Sequence, residues 1–222
     1  MWRQLHFDEG EVRCLADEQA RSRRQSELSS LVEHEHDVVG LEDSKLSLVE
    51  QLTGGNNDQR TVIAVLGMGG LGKTTLVGCV YNSLQVKKRF ECAAWISVSR
   101  DTEQIDFLRS AAAQFFKEDE SDTDEDRAMD LSRLARKIKK LERKIKNYLQ
   151  QRRYVLVLDN VGDTKYAKII GAAFPDNDRG SCIVITMRLK SVASALAHHT
   201  HNLECLKPRD ALTLLCKKAF LK

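Results

Sequence analysis

Short apolar runs alternate along this chain with segments whose apolar residues recur every three or four positions. The runs lie at 61–66, 91–98, 153–159 and 181–186. Their length and composition predict buried β-strands. Apolar residues with helical spacing predict helices at 41–52, 74–84, 105–116, 131–148, 189–197 and 210–221. Because strands alternate with helices, we expect an α/β fold, a parallel sheet flanked by helices on both faces.

The segment 131–148 allows two interpretations. Its apolar residues follow a 3-4-3-4-3 spacing, and the charged residues between them are mostly Lys and Arg. It could form a coiled-coil seam, or a cationic helix that packs one apolar stripe against the domain core. The spacing covers fewer than three heptads, which favours the packed helix. The acidic run at 117–126 predicts an exposed loop that partly neutralises the charge of this helix.

The composition is that of a globular protein with one main domain. The chain has 222 residues, of which 42% are hydrophobic and 30% are charged, and its net charge is +3. This length predicts one α/β domain with a short extension. No apolar stretch is long enough to predict a membrane span. Six cysteines without a C-x-x-C pair favour a reduced compartment, and we expect the protein to be cytoplasmic.

Residues 1–36 are polar and weakly patterned, and they predict a linker-like N-terminal extension. The basic cluster at 21–24 fits a solvated linker better than a nucleic-acid patch. No basic stripe is interleaved with aromatic residues, so we expect no direct nucleic-acid role.

The segment after the first predicted strand carries the most informative motif of the chain. Residues 67–74, GMGGLGKT, fit G-x-x-x-x-G-K-[ST], the phosphate-binding loop (P-loop) of nucleoside-triphosphate proteins. Glycines let the backbone turn so that successive N–H groups point at a phosphate, and the following helix N-terminus adds partial positive charge. Lys73 is expected to reach the β- and γ-phosphates, and the Thr74 hydroxyl to reach Mg²⁺. The residues expected to bind the nucleotide here are Gly67, Gly69, Gly70, Leu71, Gly72, Lys73, Thr74 and Thr75.

Two further candidates follow strands that are predicted to end at the same edge of the sheet. Asp159 ends the third apolar run, where doubly wound sheets place their ligands. We expect it to order Mg²⁺ together with Thr74, the alternative being a carboxylate that caps the next turn. Arg188 follows the fourth run and is expected to pair with a γ-phosphate through its planar guanidinium, the alternative being a surface arginine.

The histidines suggest a metal site only weakly. His34 and His36 form one pair, and a second cluster lies at 198–201. Neither cluster matches H-E-x-x-H or has cysteines at zinc spacing, so we expect solvated or locally hydrogen-bonded side chains.

Taken in order, the motifs resemble the NB-ARC nucleotide-binding domain of plant disease-resistance proteins of the coiled-coil class, which are intracellular immune receptors. The residues 65–75, VLGMGGLGKTT, resemble the phosphate loop of that family almost letter for letter. The other matching segments are 38–42, 90–100, 153–161, 180–188 and 203–220. The resemblance implies a P-loop NTPase domain at 37–202 and the beginning of a truncated helical ARC subdomain at 203–222. It also implies that Val38 and Val39 hold adenine.

For function, the resemblance implies a switch that binds ADP at rest and ATP when active, in defense response. Its partners would be nucleotide with Mg²⁺, other immune-receptor domains and pathogen-sensing proteins. The family usually has two acids at the positions of Asp159 and Asn160, and here the second is an amide that cannot accept a proton as a carboxylate does. Hydrolysis is therefore expected to be slow at most.

Two other functions compete with the switch. One is a general P-loop ATPase or kinase that turns over, which Asn160 disfavours. The other is a nucleotide-independent interaction fragment or decoy of an immune receptor, with the basic helix at 131–149 and the N-terminal segment as its docking surfaces. Nucleotide binding that depends on Lys73 separates the switch from the decoy.

Overall fold

A computed structural model describes residues 38–54, 58–116 and 131–220. These residues form a five-stranded parallel sheet in the order β2-β3-β4-β1-β5. The strands are β1 (Thr61–Leu66), β2 (Cys92–Ser97), β3 (Tyr154–Val161), β4 (Cys182–Met187) and β5 (His199–Asn202). Because all strands run in the same direction, the residues that follow them lie close together, beyond the carboxyl ends of the strands.

Helices connect and flank the strands. The described helices are α1 (Glu42–Thr53), α2 (Lys73–Tyr81), α3 (Leu84–Arg89), α4 (Gln104–Phe116), α5 (Leu131–Leu149), α6 (Tyr166–Ala173), α7 (Lys190–Leu196) and α8 (Pro208–Phe220). None of the helices in the described ranges is long and apolar enough to cross a membrane.

The sheet separates two apolar cores, because alternate residues of each strand face opposite sides. The first core packs α1, α2 and α3 against Ile63, Val65, Val157 and Val184. The second core packs α4, α5, α6 and α7 against the other face, with an aromatic cluster that includes Phe107, Tyr154 and Phe174. The α/β class with helices on both faces is therefore confirmed.

The four strands predicted from apolar runs are all present, and their bounds move by one or two residues. The sequence interpretation omitted α3, α6 and β5. The sequence of β5, HTHN, has no apolar residue, and its burial pattern is mostly exposed because it lies at the edge of the sheet. The strand β5 therefore lacks the apolar signal on which the prediction of buried strands relies, whereas β2, at the opposite edge, keeps it because Ala94, Trp95 and Ile96 are buried. The predicted extension at 1–36 and the acidic run at 117–126 lie outside the described residues.

The helix α5 packs as a single cationic helix, as its pattern favoured. Ile145 and Leu149 are fully buried in the second core, and Ile138, Leu141 and Tyr148 lie partly buried against it. Its neighbours are α4 and α6. The last helix, α8, buries none of its residues within the described ranges.

Candidate nucleotide-binding site

The P-loop joins β1 to α2 and takes a shape that only glycine adopts easily. Gly70 and Gly72 have φ angles of +80° and +89°, in the left-handed region. Side chains with a Cβ rarely adopt such angles. Gly72 is also the residue that caps the N-terminus of α2, and its carbonyl accepts the first helical hydrogen bond from Leu76 N at 2.8 Å. The glycines of the motif thus turn the chain directly from the strand into the helix.

Lys73, the first residue of α2, lies with only 9% of its surface exposed. Its Nζ donates a hydrogen bond of 2.6 Å to the carbonyl of Met68 across the loop. Burial and the positive charge of Arg188 lower the pKa of Lys73, while the negative charge of Asp159 raises it. The lysine is therefore held at the loop between another cation and a carboxylate.

Asp159, near the end of β3, faces the beginning of α2. It is 8% exposed. The Thr74 hydroxyl donates to its carboxylate at 2.9 Å for Oδ1 and 3.2 Å for Oδ2. This pairs two oxygen groups of the kind that Mg²⁺ prefers, one carboxylate and one hydroxyl, beside the phosphate loop. The residues present therefore fit a Mg²⁺ site.

Thr186 is a residue of this site that the sequence interpretation missed. It is 1% exposed, and its hydroxyl donates to Asp159 Oδ1 at 2.5 Å and accepts from Asn160 N at 2.8 Å. The available signal was a polar residue at the end of an otherwise apolar strand, next to the strand that carries Asp159. In a parallel sheet, residues at the carboxyl ends of adjacent strands lie side by side.

Asn160 follows Asp159 in a local irregularity of β3. Its φ angle is +65°, and the register between β3 and β4 shifts between Leu158 and Val161. Asn adopts this left-handed conformation more readily than most residues. The side-chain amide donates to the carbonyl of Val98 at 3.3 Å. Asn160 therefore contributes to the turn at the end of the strand, and its side chain is tied to the segment after β2.

Arg188 lies at the P-loop although it is exposed and belongs to the segment after β4. Its guanidinium carbon is 3.4 Å from the position that a Cβ on Gly69 would occupy. The missing side chain at Gly69 thus leaves room for the guanidinium. The structure brings Arg188, Lys73 and Asp159 to the same loop.

Two leucines flank the P-loop at its ends. A Cβ on Gly67 would come within 3.0 Å of the Leu203 carbonyl and of Leu71 Cδ1, and a Cβ on Gly72 would lie 3.6 Å from Leu41 Cδ1. Leu41 and Leu203 are both buried in the first core, and Leu71 packs against it. Leucine residues of the first core, or packed against it, therefore lie close to both ends of the loop.

The segment that contains Val38 and Val39 runs beside this arrangement. Both valines are half-buried, and Val38 packs against the first core. Gly40 follows with a φ angle of +72°, and a Cβ there would come within 2.9 Å of Asp210 Cβ and Leu206 Cδ2. The two valines therefore lie next to the loop-flanking Leu41. Thr75 is half-buried in the first turn of α2.

The histidine cluster does not form a metal site among the described residues. No group of three His, Cys, Asp or Glu side chains is placed to hold an ion in that part of the chain. Instead, His198 Nδ1 accepts a hydrogen bond of 3.0 Å from Val62 N, at the beginning of β1. This is the local hydrogen bonding that the sequence favoured. His34 and His36 lie outside the described residues.

Solved structures with the same fold have little sequence identity to this chain. Cdc6p from Pyrobaculum aerophilum aligns with a TM-score of 0.53 and 15% identity, over 81% of this chain and 49% of that structure. A chain of the HORMA:CdnC:Trip13 complex of E. coli MS115-1 aligns with a TM-score of 0.51 and 12% identity, over 88% of this chain and 70% of that one. These likenesses concern the fold alone, which is that of P-loop NTPases.

Comparison of sequences is more specific. The disease resistance protein RPM1 of Arabidopsis thaliana is 36% identical over 195 residues, which cover 86% of this chain and 20% of the relative. A disease resistance protein RGA4 of Oryza sativa subsp. japonica is 33% identical over 195 residues, 84% of this chain and 18% of the relative. The chain thus spans about a fifth of the length of these relatives. Residues 41–222 match the family model described as the NB-ARC domain, and the chain therefore belongs to the NB-ARC domain family.

Proposed function

We propose that this chain binds ADP or ATP at the P-loop and acts as the nucleotide-dependent switch of a plant immune receptor. The observation that carries the proposal is the convergence of Lys73, Thr74, Asp159 and Arg188 on one glycine loop. The family and the resistance proteins among its relatives support nucleotide binding and a role in defense.

In this proposal the β-phosphate lies against the backbone N–H groups of the loop and the N-terminus of α2. Lys73 exchanges its hydrogen bond to the Met68 carbonyl for one to phosphate oxygen. An anion near Lys73 also offsets the effects of burial and of the Arg188 charge, which lower the pKa of the lysine. The adenine lies beside Val38 and Val39, which provide apolar contact.

Thr74 and Asp159 would hold Mg²⁺ through the hydroxyl and the carboxylate. A bound Mg²⁺ supplies positive charge to the phosphate oxygens. Asp159 is presented to that position by hydrogen bonds from Thr74 and Thr186, which leave further lone pairs of the carboxylate available.

Arg188 makes the chain interact differently with ATP and with ADP. A nucleotide shifts a conformational equilibrium only if it binds the two conformations unequally. The guanidinium lies at Gly69 in the P-loop, so a γ-phosphate adds a contact that ADP does not make. The amide of Asn160 donates to Val98 and cannot serve as a general base, which favours slow hydrolysis.

The experiment is to measure the Kd of the purified chain for ADP and ATP by calorimetry, with Lys73→Ala and Arg188→Ala. Lys73→Ala should raise the Kd for both nucleotides by roughly 10- to 100-fold, which corresponds to the loss of a hydrogen bond to a charged group. Arg188→Ala should raise the Kd for ATP more than the Kd for ADP. The matched control is Lys87→Ala, an exposed lysine in α3, which should leave both values unchanged.

If the parent chain binds neither nucleotide, the switch proposal is wrong, and the chain is better described as a nucleotide-independent interaction fragment. If Arg188→Ala weakens ADP and ATP equally, Arg188 does not distinguish the two states.

A further inference from the structure

One helix of this protein, α5, carries a large net positive charge. Eight of the 35 basic residues and one of the 32 acidic residues lie in α5, so this helix has a net charge of +7, and the remaining 203 residues have −4. That single acid, Glu142, accepts a hydrogen bond from Gln104 Nε2 at 2.9 Å. A net charge of +3 for the chain thus conceals a strong asymmetry.

The basic residues of α5 occupy the side of the helix opposite its apolar stripe. At about 100° per residue they cover roughly half of the circumference, and the first and last are about 20 Å apart along the axis. Seven of the eight are exposed. Lys139, Lys140 and Lys146 make no ion pair with any described residue. The result is a convex, solvent-facing surface, here called the basic face of α5.

The apolar stripe is mostly covered, but its first turn is not. Ile145 and Leu149 are fully buried in the second core. At the other end Leu131 is 82% exposed, and Leu134 is half-buried. The N-terminal turn of α5 therefore presents an uncovered leucine, on the side of the helix away from the basic face.

These features distinguish between the kinds of anionic partner. An acidic protein that encloses a basic helix in an apolar groove needs access to the stripe, which the second core occupies. Single-stranded nucleic acid is bound by grooves with aromatic platforms, whereas the described basic face is convex and carries none. A bilayer is flat and extended, so it can meet many outward-pointing charges at once without a groove.

We propose that the basic face of α5 is a peripheral docking surface for anionic lipid bilayers. Lysine side chains reach the headgroups from the convex helix. This role is independent of the nucleotide, because α5 belongs to the core on the sheet face opposite α2.

The test is flotation of the full 222-residue chain with vesicles of phosphatidylcholine alone, or with about a third phosphatidylserine. The variant Lys139→Gln, Lys140→Gln, Lys146→Gln removes three charges from the basic face. Its matched control is Lys87→Gln, Lys88→Gln, Lys207→Gln, which removes three exposed lysines elsewhere. Circular dichroism checks that both variants keep the parent's helix content.

We expect binding to the anionic vesicles only, reduced roughly a hundredfold in the α5 variant and little in the control. High salt should release the protein, since these charges are exposed. The proposal is overturned if the anionic vesicles do not bind the chain, or if both triple variants lose binding equally. It is also overturned if duplex DNA of random sequence, at the same salt, binds the basic face tighter than the vesicles do.

Discussion

The hydroxyl of Thr186 has two partners in the site, and both of them need it. It donates to Asp159 and accepts from the backbone N–H of Asn160. Thr186 and Asp159 are both buried, so water could not replace the hydroxyl at the carboxylate without rearrangement. Thr186 thus joins the orientation of the carboxylate to the turn at the end of β3.

We expect Thr186→Val to destabilise the protein by about 1–3 kcal/mol, because the substitution removes both hydrogen bonds and leaves the Asn160 N–H without its acceptor. Thr186→Ser keeps the hydroxyl and should recover most of that loss. Urea unfolding measures the free energies. In addition, only the valine variant should reduce the gain in ADP affinity on adding Mg²⁺. Equal Mg²⁺ dependence in both variants would limit Thr186 to a structural role.

Replacement of glycine by alanine is expected to change the stability of the protein in opposite directions at two positions. At Gly40 the φ angle is positive, and an added Cβ would lie only 2.9 Å from Leu206 Cδ2 and Asp210 Cβ, which leaves no room for a methyl group. Gly171 lies within the helix α6, and nothing lies within 4 Å of its Cβ position. We expect Gly40→Ala to destabilise by at least about 1 kcal/mol, and Gly171→Ala to stabilise by about 0.5–1 kcal/mol. Thermal unfolding of both variants tests the pair, and a stabilising Gly40→Ala would contradict it.

At the scale of elements, the buried strands were predicted from their apolar runs, whereas α6 was missed although it buries Tyr166, Ile169 and Ile170, because its eight residues are too few for a clear helical spacing. The strands β1, β3 and β4 are buried on both sides of the sheet, and their continuous apolar sequences identified them. The strand β5 lies at the edge, and its sequence resembles a polar loop. In the candidate site, the P-loop and Asp159 were predicted from motif and position, whereas Thr186 depends on a strand pairing that no local pattern encodes.

The strand β5 also contains a histidine whose environment disfavours its charge. His201 is half-buried, its Nε2 has no hydrogen-bond partner among the described residues, and burial lowers its pKa. Because the folded pKa lies below the unfolded value of about 6.5, the unfolded state takes up the proton more readily. Its contribution to stability is therefore present above that pH and is lost as the pH falls below it.

We expect the free energy of unfolding to fall between about pH 7 and pH 5, and His201→Gln to reduce that slope. The exposed His199 on the same strand is the control, and His199→Gln should leave the slope as it is. Urea titrations at several pH values provide the measurement. The assignment to His201 is wrong if its replacement leaves the slope unchanged.

At the scale of the whole molecule, the sheet order places β1 between β4 and β5, and this could not be read from the chain. The four apolar runs are similar in length and composition, so local sequence does not state which strands are neighbours. The parallel direction was predictable because helices connect the strands. The order follows from packing across both cores.

The cysteines in the described ranges also differ in how accessible their thiols are. Cys205 and Cys216 are exposed. Burial raises the pKa of Cys182 to about 12 and that of Cys92 to about 11. Since the thiolate is the reactive form, iodoacetamide should label the exposed pair at least about tenfold faster at neutral pH. Peptide mass spectrometry reads the rates, and labelling of Cys182 at the same rate in the native protein would contradict the fold.

The close approach of Leu206 and Asp210 to Gly40 bears on how long a nucleotide stays bound rather than on how tightly it binds. It joins the segment of Val38 and Val39 to the beginning of α8, and the neighbouring Leu41 and Leu203 hold the two ends of the P-loop. We expect a nucleotide bound as proposed to leave when these leucines separate. Its residence time is then set by how often the first and last parts of the domain move apart, and a substitution far from any phosphate, such as Gly40→Ala, should shorten it.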